Sequence, residues 1–211
     1  MSTAVAEHVR SAVVHAATDS FVSSRELLEK LPASSRSAVD AALSRLAEAG
    51  ELLRVRPGIY YRGKVTRYGT TSPEPIAVGY AVCREHGWNS GVGPSGYSAA
   101  RRLGLTTQMP AREEMAVPGR APADLPGVRF KARSGGARRG LKPDEIAVLE
   151  VLREWPRFSE RGWDELCAAV SELATAKRVR PEVVLTAARR ERHATARRHA
   201  ERLLADLRVA G

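Results

Sequence analysis

The chain has 211 residues, 43% apolar, 27% charged and only 5% aromatic. That composition supports one large or two small globular domains with cores of Leu, Val and Ala, and it excludes a membrane span, because no apolar run nears the roughly 20 residues required. A net charge of +10, with 34 Lys plus Arg against 24 Asp plus Glu, points to nucleic acid as a partner and, without a signal-like N-terminus, to the cytoplasm.

The first 62 residues read as one unit. Val5, Val9, Ala12, Val13 and Ala16 fall on one stripe of a first helix over 4–17. In "FVSSRELLEKL", Ser23 and Glu26 have capping-box spacing, so a second helix is expected over about 24–31, ended by Pro32. A third begins after Ser34 or Ser35, carries the stripe Val39, Ala42, Leu43, Leu46 and Ala49, and stops at Gly50. The short turn between the second and third helices has helix-turn-helix spacing. "LLRV" and "IYY" then form two strands joined at Arg56-Pro57-Gly58, a pair that favours a tight turn. Three helices followed by a hairpin is the order of a winged helix, whose third helix enters the major groove while its wing follows the backbone.

On that reading the third helix turns Ser37, Asp40, Ala41, Ser44 and Arg45 outward with Arg36 at the flank, and the wing carries Arg54, Arg56 and Arg62. The expected contacts are these except Ala41, together with Ser35 at the helix start. Arg45 can reach guanine edges, Asp40 a cytosine amino group, and the serines either bases or phosphates. The wing arginines would meet phosphates, supplying affinity and orientation rather than sequence choice. The alternative is an ordinary solvated face, or a winged helix used for protein contact, since residues 1–62 hold 8 cations against 7 acids.

Residues 63–75 have the Gly, Thr, Ser and Pro content of a linker. From 76 onward a C-terminal domain is expected, with a helix–strand part over 76–140 and a helical part over 141–211. Pro75 opens a helix "IAVGYAVCREHG"; Pro94 and Ser95 begin another, and Gly104 ends it. "EEMAVPG" and "GVRFKARS" alternate as strands, and "GGARRG" reads as a flexible basic loop. "SGVGPSG" lacks the Lys-Ser/Thr of a phosphate-binding loop and is read as a turn. Pro143, Asp144 and Glu145 make an acidic first turn before the stripe Ile146, Leu149 and Leu152, and Trp163, Leu166, Val170 and Leu173 mark the next helix. The tail from Arg180 forms one long helix or two. Between Lys177 and Arg202 it has nine cations against three acids, a solvated face or a contact for nucleic acid or an acidic partner. His193 and His199, six apart, do not suit a metal and are read as surface residues; Cys83 and Cys167 are read as buried free thiols. The overall class is α+β, with no catalytic residues, metal or cofactor expected.

Three segments carry a family resemblance. "FVSSRELLEKLPASSRSAVDAALSRLAEAGELLRVRPGIYYR", "PSGYSAARRLGLTTQMP" and "VRFKARS" resemble the AbiEi-like antitoxins of bacterial type IV toxin–antitoxin systems over about residues 20–134. The pairing of "RPGIY" with "LGLTTQMP" is the specific part; the tail after Arg189 is least like the family. The resemblance implies a winged-helix repressor that binds double-stranded operator DNA of its own operon through residues 35–49 and 54–62. It also implies a C-terminal domain that counters a nucleotidyltransferase-like toxin. A protein-interaction antitoxin that binds or modifies the toxin, for instance by phosphorylating it, is the alternative.

Overall fold

Helical periodicity in the first residues produces α1 (Ser2–His15), with Val9 and Val13 sealed inside. The computed structural model describes residues 2–133 and 135–209. Met1, Ser134 at the end of the strand expected over 127–134, and Ala210 and Gly211 at the end of the expected tail helix lie outside the described residues. The fold is mixed α+β, about half helical with a few short strands, and divides into units 1–86 and 87–211.

In the first unit, β1 (Ser20–Ser23) leads into α2 (Ser24–Lys30), where Ser23 Oγ accepts from the Glu26 N–H at 3.1 Å. That cap satisfies one of the amides a helix start leaves without an internal partner. Ser35 caps α3 (Arg36–Glu48) in the same way, through the Ala38 N–H at 3.3 Å. Beyond α3 come β2 (Leu53–Arg56) and β3 (Ile59–Arg62), joined by a turn in which Gly58 takes φ +81°, a left-handed value that glycine adopts without strain. The sheet order is β1–β3–β2, antiparallel throughout, with Ser20 opposite Arg62 and Ser23 opposite Ile59. Val9, Val13, Val22, Leu27, Val39, Leu43, Leu46, Leu52 and Tyr60 form its core. Burying a side chain such as Leu43 stabilises the fold by about 1.5–3 kcal/mol.

Two segments of the first unit have structure the sequence reading did not give them. "SFVS" is a strand, too short for alternation to register, and it forms because β3 offers it a pairing edge. Residues 63–75 are not simply a linker, because β4 (Val65–Thr66) and β5 (Gly69–Thr70) pair as a small hairpin. Next, α4 (Pro75–Glu85) packs against β3 and buries Val78, Ala81, Val82 and Cys83. It therefore falls within the first unit, and the unit boundary lies after His86 rather than near residues 62–75.

The second unit is built around α7 (Pro143–Glu154), buried from Asp144 through Leu152 rather than along one stripe. Around it stand β6 (Gly93–Pro94), α5 (Gly96–Arg102), α8 (Trp163–Thr175), α9 (Pro181–Arg190) and α10 (Ala194–Val209). The tail is thus two helices broken at 191–193. The strands β7 (Glu113–Pro118) and β8 (Val128–Arg133) run parallel, with β6 antiparallel on the other edge of β7. A Cβ at Gly93 would lie 2.7 Å from both Ile146 Cβ and Pro143 O, so this glycine of "SGVGPSG" serves close packing against α7.

The basic loop expected at 135–140 is corrected most. Residues Gly135–Arg138 form a short helix, α6, and Arg138 is 0% exposed. Its guanidinium meets Glu150 at 2.6 Å and also Glu191; Glu150 in turn holds Arg133 at 2.7 Å, and Glu191 holds Arg153. Burial alone would raise the Glu150 carboxyl, yet Arg133 and Arg138 hold it below its usual range. The histidines are half-buried rather than superficial. Nδ1 of His193 accepts from the Ala196 N–H at 3.1 Å, and His199 Nδ1 lies 2.8 Å from Leu152 O. Cys83 is buried, its thiol pushed up to about 12 by desolvation, while Cys167 is only half-buried.

Candidate nucleic-acid interface

Because its apolar residues turn inward against α1, α3 presents Arg36, Ser37, Ala41 and Arg45 to solvent. The expected contact residues separate into two groups along this helix. Near its start, Arg36 Nη2 lies 3.3 Å from Glu85 Oε1 and its Nε lies 3.7 Å from Asp40 Oδ2. Asp40 also accepts a hydrogen bond from Ser24 Oγ, so it is committed within the molecule instead of standing ready for a cytosine. Ser35 and Ser37 approach to 3.1 Å between their hydroxyls. Further along, the Ser44 hydroxyl meets Tyr60 OH at 3.1 Å, which ties α3 to β3. Arg45 Nε donates to the carbonyl of Ala41, one turn back on its own helix, and its guanidinium stays exposed.

The arginines on and around the β2–β3 hairpin also divide. Arg62 donates to the carbonyls of Val14 and Ala16 at the end of α1, where unsatisfied helix carbonyls carry partial negative charge. It closes a helix end rather than projecting towards a ligand. Arg54 and Arg56, on edge strand β2, have no hydrogen-bond or ionic partner for their side chains among the described residues. Arg54 is exposed and Arg56 half-exposed. A register irregularity between them separates the rungs Arg54–Tyr60 and Arg56–Ile59, so the two residues do not follow strict strand alternation. Four expected contact residues thus remain outward with no side-chain partner outside their own helix or strand among the described residues: Arg45, Arg54, Arg56 and Ser37, whose hydroxyl meets only Ser35.

Several residues at this surface went unread in the sequence. Glu85, at the end of α4, faces Arg36, and a Cβ placed on Gly58 would stand 3.6 Å from Arg36 Nη2, Glu85 Oε1 and Ser24 Oγ alike. The hairpin turn, the starts of α2 and α3 and the end of α4 therefore converge on one carboxylate. Glu85 Oε2 is buried with no hydrogen-bond partner among the described residues. Nothing local in "VCREHG" signals this, because the pairing spans 49 residues. The β4–β5 hairpin was equally hidden. Val65 and Tyr68 are 78% and 83% exposed, and the Arg67 guanidinium lies 4.6 Å from the centre of the Tyr68 ring. Asp19 anchors its base by accepting from Tyr61 OH at 2.9 Å and Thr71 Oγ1 at 3.0 Å, and those bonds hold its carboxyl below the usual range. A signal was available here: from Leu52 to Pro73 there is no acid, but there are five cations, Arg54, Arg56, Arg62, Lys64 and Arg67. An uninterrupted positive segment attracts polyanions.

Among the described residues, no group of His, Cys, Asp and Glu could hold a metal ion, and no helix is long and apolar enough to cross a membrane. In the second unit a cleft of about 760 Å³ is lined by Tyr97, Arg112, Arg129, Lys131, Arg157 and Phe158, among others. Its cations already face Glu114, Asp124 and Glu154, with Lys131 Nζ 3.0 Å from Glu114 Oε2.

Comparison with known proteins gives a sparse result. No curated protein matches the chain. Among solved structures it is similar to the RV2827C protein from Mycobacterium tuberculosis, with 17% identity and a TM-score of 0.51, over 96% of this chain and 76% of that one. At that identity the likeness speaks for the fold alone. Residues 20–120, which contain α2, α3 and the β2–β3 hairpin, match a family described as "Family of unknown function (DUF6088)".

Proposed function

We propose that the first unit is a winged helix-turn-helix that binds double-stranded DNA, with α3 in the major groove and β2–β3 along the backbone. The observation that carries this reading is the pair of unpartnered arginines, Arg54 and Arg56, beside the exposed α3 face bearing Ser37 and Arg45. In a chain whose arginines mostly hold acids, two close together on an edge strand with no side-chain partner among the described residues are suited to an external anion. The element order supports the same reading, since α1, α2 and α3 precede a hairpin whose sheet is completed by β1. On this basis the contact set narrows to Ser37, Arg45, Arg54 and Arg56, with Ser35 a helix cap and Arg62 a helix-end donor.

Together with the AbiEi-like resemblance, we infer that the chain is a cytoplasmic antitoxin that represses its own operon and counters a nucleotidyltransferase-like toxin. A mobility shift on duplex DNA from upstream of its own gene tests the DNA-binding part. Retention should be salt-sensitive and competed by the same sequence before unrelated duplex; absence of retention at about 50 mM salt, where phosphate-driven binding is strong, overturns it. Co-expression with the neighbouring gene tests the antitoxin part. Rescue of growth is expected, and growth arrest that this chain does not relieve rejects it.

A further inference from the structure

Most arginines of the second unit are committed. Arg102 and Arg178 hold Asp144, Arg180 holds Glu145, Arg133 and Arg138 hold Glu150, and Arg153 holds Glu191. Arg189 pairs with Glu201, Arg208 with Glu182, and Arg202 with Asp206 while lying over the Trp163 ring. Against that background, Arg190, Arg192, Arg197 and Arg198 have no side-chain partner among the described residues, and all four are exposed. They lie within nine positions, at the end of α9, in the 191–193 break and in the first turns of α10. The other arginines of this unit without a side-chain partner among the described residues, Arg120, Arg139 and Arg161, stand singly.

Two features keep this cluster positive. The one acid in the stretch, Glu191, is 7% exposed and turned inward onto Arg138 and Arg153. Its charge is taken up by those arginines and does not offset its outward neighbours Arg190 and Arg192. Moreover, α10 has no acid in its first turn, and Arg197 and Arg198 stand near its start. The patch also lacks large apolar residues. Its exposed neighbours include Thr186, Arg189, Ala194 and Glu201, the last paired with Arg189 at 3.3 Å, without the aromatic or aliphatic centre that protein interfaces use.

We propose that Arg190, Arg192, Arg197 and Arg198 form a second nucleic-acid surface, which takes the phosphate backbone of duplex DNA without reading its sequence. Guanidiniums with no apolar centre and no exposed aromatic ring beside them suit backbone phosphates, not stacked single strands. The choice of duplex DNA as the ligand rests on the function proposed above. The surface itself lies in the second unit and is testable without it.

The test measures binding of the full chain to a sequence-unrelated duplex of about 30 base pairs across about 50–200 mM salt. With all four arginines changed to Gln, affinity at about 100 mM salt should fall on the order of tenfold. The slope of log K against log salt should become shallower by about 0.9 for each phosphate no longer neutralised. With all four changed to Lys, which keeps the charge, most of the slope should return; that second set separates a charge effect from misfolding. Unchanged affinity and slope in the Gln set overturn the proposal. So does unchanged duplex binding accompanied by loss of binding to single-stranded RNA or a polyglutamate peptide, which would assign the patch to another polyanion. If the wild type prefers no promoter sequence but loses duplex binding in the Gln set, operator recognition fails and this surface stands. If promoter binding is specific and the Gln set behaves as wild type on unrelated duplex, the reverse holds.

Discussion

Two arginine-rich regions of this molecule use one side chain in opposite ways. Around α7, Arg133, Arg138 and Arg153 turn inward and share Glu150 and Glu191, and Arg138 is sealed from solvent. On β2, Arg54 and Arg56 meet no partner among the described residues. The deciding difference is whether an acid reaches the guanidinium. In the second unit carboxylates arrive from helices far along the chain, whereas the stretch from Leu52 to Pro73 contains none. Net charge therefore says little about where an external anion binds; the pairing of each cation says more.

The contrast breaks most sharply at Glu150. Replacing Glu150 by Gln removes one of the two carboxylates on buried Arg138 and leaves Glu191 shared between Arg138 and Arg153; breaking a buried pair costs up to about 3–5 kcal/mol. A denaturant titration should show that loss, while duplex DNA binding by folded protein remains. A loss below about 1 kcal/mol would mean the cluster is more hydrated than its burial indicates. The opposite outcome is expected for Arg54→Ala with Arg56→Ala: unfolding free energy within about 0.5 kcal/mol of wild type, but DNA affinity down roughly tenfold, with the salt slope shallower by about 1.8 for two phosphates. Destabilisation without a binding defect would place these residues among the structural arginines instead.

Acidity sharpens the same distinction. Burial would raise the carboxyls of Asp144, Glu145 and Glu150, but their arginine partners hold all three below their usual values. Groups depressed in the folded state contribute stability that is present above their unfolded values and lost as pH falls through the folded ones. Unfolding monitored by near-ultraviolet circular dichroism should therefore become easier from about pH 5 downward. A flat stability profile from about pH 6 to about pH 3 would contradict the pairing. The smallest effect is expected at Glu85. Changing it to Gln releases Arg36 from its carboxylate and should raise duplex affinity about two- to fivefold, as expected for a partly exposed pair worth up to about 1 kcal/mol. A fall in affinity would mean that Glu85 orders the α3 surface instead of competing for it.

What the sequence made legible was local. Ser35 and Gly50 delimit α3 because capping and left-handed termination act within a few residues, and the Pro57-Gly58 turn follows from the same short-range rules. What stayed hidden was non-local. Strand β1 exists only through pairing with β3, nearly forty residues on, and no property of "GGARRG" announces that Arg138 meets acids at positions 150 and 191. Of the expected contact residues, Ser35, Arg36, Asp40, Ser44 and Arg62 proved to have partners in the molecule, supplied by Ala38, Glu85, Ser24, Tyr60 and the end of α1. The second hairpin was obscured by its own composition, because Gly, Thr and Ser serve tight turns as readily as linkers.

On the function proposed, α3 and the β2–β3 edge form one DNA-facing surface. Amide chemical shifts of the full chain, recorded with and without duplex DNA from its own promoter, test it most directly. The largest changes should fall in residues 35–48 and 53–58, and should vanish when Arg45, Arg54 and Arg56 are replaced together by Ala. Binding that leaves those residues unperturbed and shifts α1 or α8 instead would contradict it.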